Sequence, residues 1–125
     1  MANVLIVEDD DSQRLLYAIE LSETGYQVSL AKDGIEAVNK FREKRPDVVV
    51  LDLMLPNMHG LDAFRKILSI DSHIPVIIHS AYSHYKDNFM SWAAEAYVVK
   101  SSDLKHLKGA IRRALSAQQF NEYYP

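Results

Sequence analysis

The chain has 125 residues, enough for one hydrophobic core, and at this length folding buries about two thirds of the extended chain's surface. Its composition, 48% hydrophobic and 25% charged with Gly 4 and Pro 4, excludes a disordered or collagenous chain, and Cys 0 excludes a disulfide framework or thiolate metal site. A formal net charge of -3 argues against direct nucleic-acid binding by this domain, which would need clustered Lys and Arg.

In chain order, Val4-Leu5-Ile6-Val7 reads as a first strand. The acidic run Glu8-Asp9-Asp10-Asp11 follows, with Asp11 or Ser12 expected to cap a helix whose apolar stripe is Leu15, Ala18 and Ile19. Gly25 is placed to end that helix in the left-handed conformation, and Val28 to Ala31 form the second strand. Asp33 and Glu36 make a D-x-x-E capping box for a second helix, and Pro46 precedes the third strand, Val48-Val49-Val50-Leu51. Leu61, Phe64 and Leu68 recur at helical spacing, after which Pro75 introduces the strand Val76-Ile77-Ile78. Tyr85, Phe89 and Trp92 lie at helical spacing on a fourth helix, as a core or interface group. Tyr97-Val98-Val99 is the fifth strand. The last helix is expected from Ser101 or Ser102, with Leu104, Leu107, Ile111 and Leu115 inward and Lys105, Lys108, Arg112 and Arg113 in solvent. Residues 118–125 turn polar and aromatic and read as a frayed tail or the start of a linker.

Most of these strands are continuous apolar runs rather than alternating ones, which is what burial on both faces of a parallel sheet requires. The pattern is therefore α/β, about five βα units in a single domain over residues 1–125. No apolar stretch approaches the ~18 residues needed to cross a bilayer, so no membrane segment is expected, and the absence of cysteine favours the cytoplasm.

Ligands of parallel α/β sheets bind at the carboxyl ends of the strands. Here those ends are polar: Glu8-Asp9-Asp10-Asp11, Asp52, His79-Ser80-Ala81 and Lys100. A carboxylate directly after Val48-Val49-Val50-Leu51 is costly to bury unless it is paired or coordinated. Three carboxylates from neighbouring strand ends make a hard-oxygen site suited to Mg²⁺, while Ser80 and Lys100 supply a hydroxyl and a fixed positive charge beside Asp52. Such a set suits an Asp nucleophile that attacks phosphorus with its own charge masked. His59, His79 and His84 form no compact H-x-x-x-H pair and are expected to be surface or hydrogen-bonded residues rather than zinc ligands.

These residues resemble the receiver domains of two-component response regulators, over nearly the whole chain. The matching segments are Leu5-Ile6-Val7-Glu8-Asp9-Asp10, Val50-Leu51-Asp52-Leu53, Pro56-Asn57-Met58-His59-Gly60-Leu61-Asp62, Ser80-Ala81 and Tyr97-Val98-Val99-Lys100. The resemblance implies a flavodoxin-like, doubly wound (βα)5 fold, with a parallel sheet in order 2-1-3-4-5 inside a three-layer α/β/α arrangement. It also implies that Asp52 accepts a phosphoryl group from a sensor histidine kinase or phosphotransfer protein. Glu8, Asp9, Asp52 and the Met54 carbonyl would hold Mg²⁺, and Ser80 and Lys100 would bind phosphoryl oxygens. Ser80 and Tyr97 would form the switch, with output, including a possible homodimer, through the face of the fourth helix, fifth strand and fifth helix. Tyr85, Trp92, Tyr97, Lys105 and His106 fall on that face.

Two departures stand out. Receiver domains usually follow the lysine with proline, often through a cis bond, whereas this chain reads Lys100-Ser101-Ser102. Because a non-proline cis bond costs about 2.5–4 kcal/mol, the expectation is a trans bond with Lys100 slightly displaced, or a strained bond held by its surroundings. Met54 and Tyr82 stand where the family flanks the path of hydrolytic water, and are expected to slow loss of the phosphoryl group. An Asp-nucleophile phosphohydrolase would need a second catalytic carboxylate where this chain has Met54. A receiver-like module that is never phosphorylated would follow only if the missing proline disabled Lys100.

Overall fold

Five parallel strands order themselves β2-β1-β3-β4-β5, with one helix after each strand. They are β1 (Asn3–Val7), β2 (Gln27–Ala31), β3 (Val48–Leu51), β4 (Val76–Ser80) and β5 (Ala96–Val99). The helices are α1 (Asp11–Glu23), α2 (Gly34–Glu43), α3 (Gly60–Ile70), α4 (Lys86–Ser91) and α5 (Lys105–Tyr123). This computed structural model describes residues 1–83, 85–91 and 93–123, with 89–91 and 119–123 at the backbone level only. The expectations for His84, Trp92 and the Phe89 side chain lie outside the described residues.

Period-two alternation sorts the strand side chains into two cores. Leu5, Val7, Val49, Leu51, Val76 and Ile78 pack against Ala37, Val38 and Phe41 of α2 and Ala63, Phe64 and Ile67 of α3. Val4, Ile6, Val48, Val50 and Ile77 pack on the opposite face against α1 and α5, through Tyr17, Leu21, Leu107 and Ile111 among others. The three central strands β1, β3 and β4 are buried nearly throughout, whereas edge strand β2 alternates and edge strand β5 is half-buried.

Several local expectations need correction. The stripe on α1 is not Leu15, Ala18 and Ile19: Leu15 is 60% exposed and Ile19 50%, while Tyr17 and Leu21 face the sheet. Both registers repeat at helical spacing, and the one chosen puts the Tyr17 ring against His79, at 5.2 Å between centroids. The cap of α1 is Asp10 rather than Asp11 or Ser12, its Oδ2 accepting from the Gln13 N–H at 2.9 Å. Asp33 caps α2 as expected, accepting from the Glu36 N–H at 2.8 Å. The Glu36 carboxylate turns instead toward Lys40, at 3.7 Å, so among the described residues only one half of the capping box is made. Helix α5 starts at Lys105, not at Ser101 or Ser102, because the Asp103 carboxylate accepts from the Lys105 N–H and Ser101 Oγ closes a turn onto the Asp103 carbonyl. Gly25 does end α1 with φ +104°.

Candidate functional site

The strand order reverses at β1, which has β2 on one side and β3 on the other, and the site lies at that point. Backbone ladder bonds run one residue past the strands and fix the side chains that matter. Glu8 N–H donates to the Ala31 carbonyl at 3.0 Å, Asp52 N–H to the Val7 carbonyl at 3.1 Å and Lys100 N–H to the Ser80 carbonyl at 2.7 Å. Arg14 secures the acidic turn from α1, its guanidinium donating to the Glu8 and Asp9 carbonyls at 3.0 and 3.3 Å. On the far side, Gly60 lets α3 begin against the strand-end backbone, its N–H donating to the Leu53 carbonyl at 3.2 Å. Met54 N–H donates to Asp52 Oδ1 at 3.2 Å, orienting that carboxylate.

Four expected residues converge. Glu8, Asp9 and Asp52 each present one carboxylate oxygen within 4.8 Å of the others. Lys100 Nζ lies 2.8 Å from Asp52 Oδ2 and 2.6 Å from Glu8 Oε1. The Lys100–Ser101 peptide is trans, one of the two outcomes expected without proline, but the displacement of Lys100 expected with it is not seen, its Nζ standing 2.8 Å from Asp52 Oδ2. Glu8 and Asp52 are only 2% and 6% exposed, so their charges are poorly screened by water and the ammonium between them compensates both. Burial pushes the Glu8 carboxyl up to about 7, against the pull of the Lys100 hydrogen bond. Burial also works against the Lys100 ammonium, but its hydrogen bonds to Asp52 and then Glu8 prevail and hold it up to about 12.

Ser80 is fully buried, and its Oγ accepts from the Tyr82 N–H at 3.1 Å. The Tyr97 hydroxyl donates to the Tyr82 carbonyl, so the residue after Ala81 is held at its N–H by Ser80 and at its carbonyl by Tyr97. Met54 and Tyr82 are 54% and 47% exposed.

Two residues near the site, Gln13 and Tyr17, carried no functional signal in the sequence. Gln13 Oε1 accepts from Lys100 Nζ at 3.1 Å and from the Tyr17 hydroxyl at 3.0 Å. His79, expected to be either at the surface or hydrogen-bonded, is buried on β4 against the Tyr17 ring, and among the described residues no buried side-chain polar atom is left without a partner. Burial, followed by the nearby Lys100 charge, pulls the His79 pKa down to about 4. At His79 the folded chain therefore binds fewer protons than the unfolded chain between about pH 6.5 and 4, so stability from neutral His79 is complete above 6.5 and falls through that window. The full effect is about 3 kcal/mol by linkage. Urea midpoints measured from pH 7 to 4.5 should fall in the native chain relative to His79→Val; parallel pH profiles would show that His79 contributes no acid sensitivity.

An acidic pocket, a strand-end aspartate and a lysine clamp thus meet at the reversal point of a five-stranded parallel sheet, and the chain is similar to known proteins along most of its length. The family described as response regulator receiver domain matches residues 4–112. A probable transcriptional regulator ycf27 from Guillardia theta is 40% identical over 114 residues, covering 90% of this chain and 44% of that protein. The response regulator ArlR of Staphylococcus epidermidis is 36% identical over 120 residues, covering 94% of this chain and 54% of that protein. The chain thus spans about half the length of these curated relatives. Among solved structures, the response regulator protein TrrA of Thermotoga maritima in complex with Mg²⁺–BeF superposes with TM-score 0.87 at 37% identity, covering 92% of this chain and 100% of that one. TrrA in complex with the histidine kinase ThkA gives TM-score 0.85 at 37% identity, covering 92% and 99%. With matching sequence, sheet order and strand-end chemistry, this chain belongs to the response regulator receiver domain family of two-component signalling.

Proposed function

We propose that Asp52 accepts a phosphoryl group from a phosphohistidine on a sensor histidine kinase or phosphotransfer protein. The observation that carries this is Lys100 Nζ at 2.8 Å from Asp52 Oδ2, with the oxygens of Glu8, Asp9 and Asp52 clustered alongside. An Asp52 carboxylate oxygen attacks phosphorus, the P–N bond breaks with its electrons returning to the imidazole, and an acyl phosphate forms. Lys100 is placed to follow the charge that passes to the phosphoryl oxygens, and Ser80 to donate its hydroxyl to one of them. The chain's own residues thereby assist both uptake and slow hydrolytic loss, and Met54 and Tyr82 restrict the path of water.

Three carboxylates within 4.8 Å fit a hard cation that keeps several waters, so Glu8, Asp9, Asp52 and the Met54 carbonyl would hold Mg²⁺. When bound, the cation would neutralise the crowded carboxylates and the incoming phosphoryl oxygens.

Ser80 and Tyr97 both grip Tyr82, so a Ser80 hydroxyl that turns to a phosphoryl oxygen gives up its bond to the Tyr82 N–H. That couples the acceptor to Tyr97 and to the α4–β5–α5 face, where Tyr85, Lys105 and His106 would meet a partner or a second copy. The kinase partner is supported by the TrrA complex with ThkA. No helix among the described residues is long and apolar enough to cross a membrane, and we place the chain in the cytoplasm. The test is an NMR titration with Mg²⁺ and then beryllofluoride: shifts should concentrate at Asp52, Ser80–Tyr82 and Lys100 and spread to Tyr97. Shifts confined elsewhere would refute the assignment.

A further inference from the structure

The Lys100 ammonium has three protons, and the structure gives each an acceptor: Glu8 Oε1 at 2.6 Å, Asp52 Oδ2 at 2.8 Å and Gln13 Oε1 at 3.1 Å. The first two acceptors belong to the acidic site. The third is a neutral carboxamide on α1, outside it.

We propose that Gln13 is a positioning residue for Lys100, its carboxamide oxygen held by the Tyr17 hydroxyl so that the ammonium stays aimed at Asp52. The inference rests on the receiver reading and names a further residue on which its chemistry depends.

An ammonium only donates, so the Gln13 atom facing it must be the oxygen, which has two lone pairs. Tyr17 takes the second, at 3.0 Å, and so fixes the orientation of the amide. Tyr17 is itself immobilised, 4% exposed, with its ring tilted 59° against buried His79 on β4. A continuous series of contacts therefore runs from the sheet through His79, Tyr17 and Gln13 to Nζ.

Lysine needs such support because its four-carbon stem is flexible, and Glu8 lies closer to Nζ than Asp52 does. Without a third acceptor the ammonium is free to roll onto Glu8 and leave Asp52 unmasked. The segment after Lys100 gives no proline rigidity, since Ser101 and Ser102 follow it. Neutrality of the third acceptor also matters. A carboxylate there would add a competing negative charge, whereas an amide orients the ammonium and leaves its charge to Asp52 and the phosphoryl oxygens.

The test compares native chain, Gln13→Leu and Tyr17→Phe, each also in a Lys100→Met background, with Mg²⁺ and phosphoramidate. Gln13→Leu keeps the side-chain bulk and removes the acceptor. Phosphoryl uptake at saturating donor should slow about tenfold with an unchanged half-saturating donor concentration, the loss of one hydrogen bond to a charged group. Tyr17→Phe should slow it less, and neither change should have further effect once Lys100 is Met. A separate readout is the ¹⁵N–¹H signal of the Lys100 ammonium, protected in the native chain and lost to solvent exchange in Gln13→Leu. Native rates in Gln13→Leu, equal slowing with and without Lys100, or a persistent ammonium signal would each overturn the proposal. If the native chain takes up no phosphoryl group, the receiver reading fails, and the ammonium signal alone decides the role of Gln13.

Discussion

Lys100→Met should lower stability by about 3 kcal/mol at pH 7 and slow phosphoryl uptake at Asp52 at least about a hundredfold. The stability loss arises because Lys100 bridges two carboxylates that are almost wholly out of water, Glu8 at 2% and Asp52 at 6% exposure. Deleting the ammonium does not return them to solvent. It leaves like charges facing each other in a medium that screens them weakly. The folded pKa of Lys100 is raised from 10.5 to about 12, so its contribution is present below 10.5 and lost as pH rises through 12; the variant lacks it throughout. The pH dependence of the deficit has a definite sign as well. Glu8 already binds its proton more readily folded than unfolded, at about 7 against 4.5, so lowering the pH through that window favours the folded state. Without Lys100 that preference grows, and the gap between variant and native chain should narrow from pH 8 to pH 5. Urea denaturation across that range checks both points. An unchanged midpoint, or a deficit independent of pH, would show that the ammonium does not compensate this pair.

Gly60→Ala should cost about 3 kcal/mol, although it adds a single methyl group. A Cβ at Gly60 would stand 2.6 Å from Leu53 Cα and from the Leu53 carbonyl oxygen, and 2.8 Å from the Asp52 carbonyl oxygen. All three are backbone atoms that cannot rotate away. The start of α3 must then retreat from the strand-end loop, and the chain has little with which to recover. His59, the N-cap of α3, makes no side-chain capping bond, so the Gly60 N–H to Leu53 carbonyl bond is a main tie at that end. Because the displaced backbone carries Asp52, phosphoryl uptake should fall along with stability. Gly109→Ala is the control: its Cβ would meet only the Arg113 guanidinium, at 3.1 Å, which can swing aside. There the helical preference for alanine should stabilise by up to about 1 kcal/mol. Thermal denaturation of the two variants separates the cases, and a Gly60→Ala chain as stable as native would contradict the close approach.

Much of the fold was legible because burial on both faces of a sheet demands strands apolar at every position, and Val4–Val7, Val48–Leu51 and Val76–Ile78 meet that demand openly. The site was legible for the opposite reason. Asp52 ends an apolar strand where an unpaired charge is expensive, so its presence implied partners, and Glu8, Asp9 and Lys100 ended the strands that could supply them. What could not be read was any choice between equally periodic alternatives. Leu15 and Ile19 are as apolar as Leu21 and sit at compatible spacing, and it is the polar tip and flat ring of Tyr17, settled between Gln13 and His79, that turn α1 the other way. The caps shifted for a related reason. In Asp9-Asp10-Asp11-Ser12 and Ser101-Ser102-Asp103 several neighbouring side chains can cap, and tertiary placement selects one. Gln13 stayed hidden because a lone amide in the first turn of an amphipathic helix looks like ordinary surface, until Lys100 arrives from 87 residues away.

The most direct measurement is the intact mass of the chain after incubation with Mg²⁺ and a small acyl-phosphate donor, beside Asp52→Ala treated identically. Native chain should gain the mass of one phosphoryl group, lose that gain when the metal is chelated beforehand, and the alanine variant should gain nothing. Equal gain by Asp52→Ala, or none by the native chain, would contradict the assignment of Asp52 as the phosphoryl acceptor.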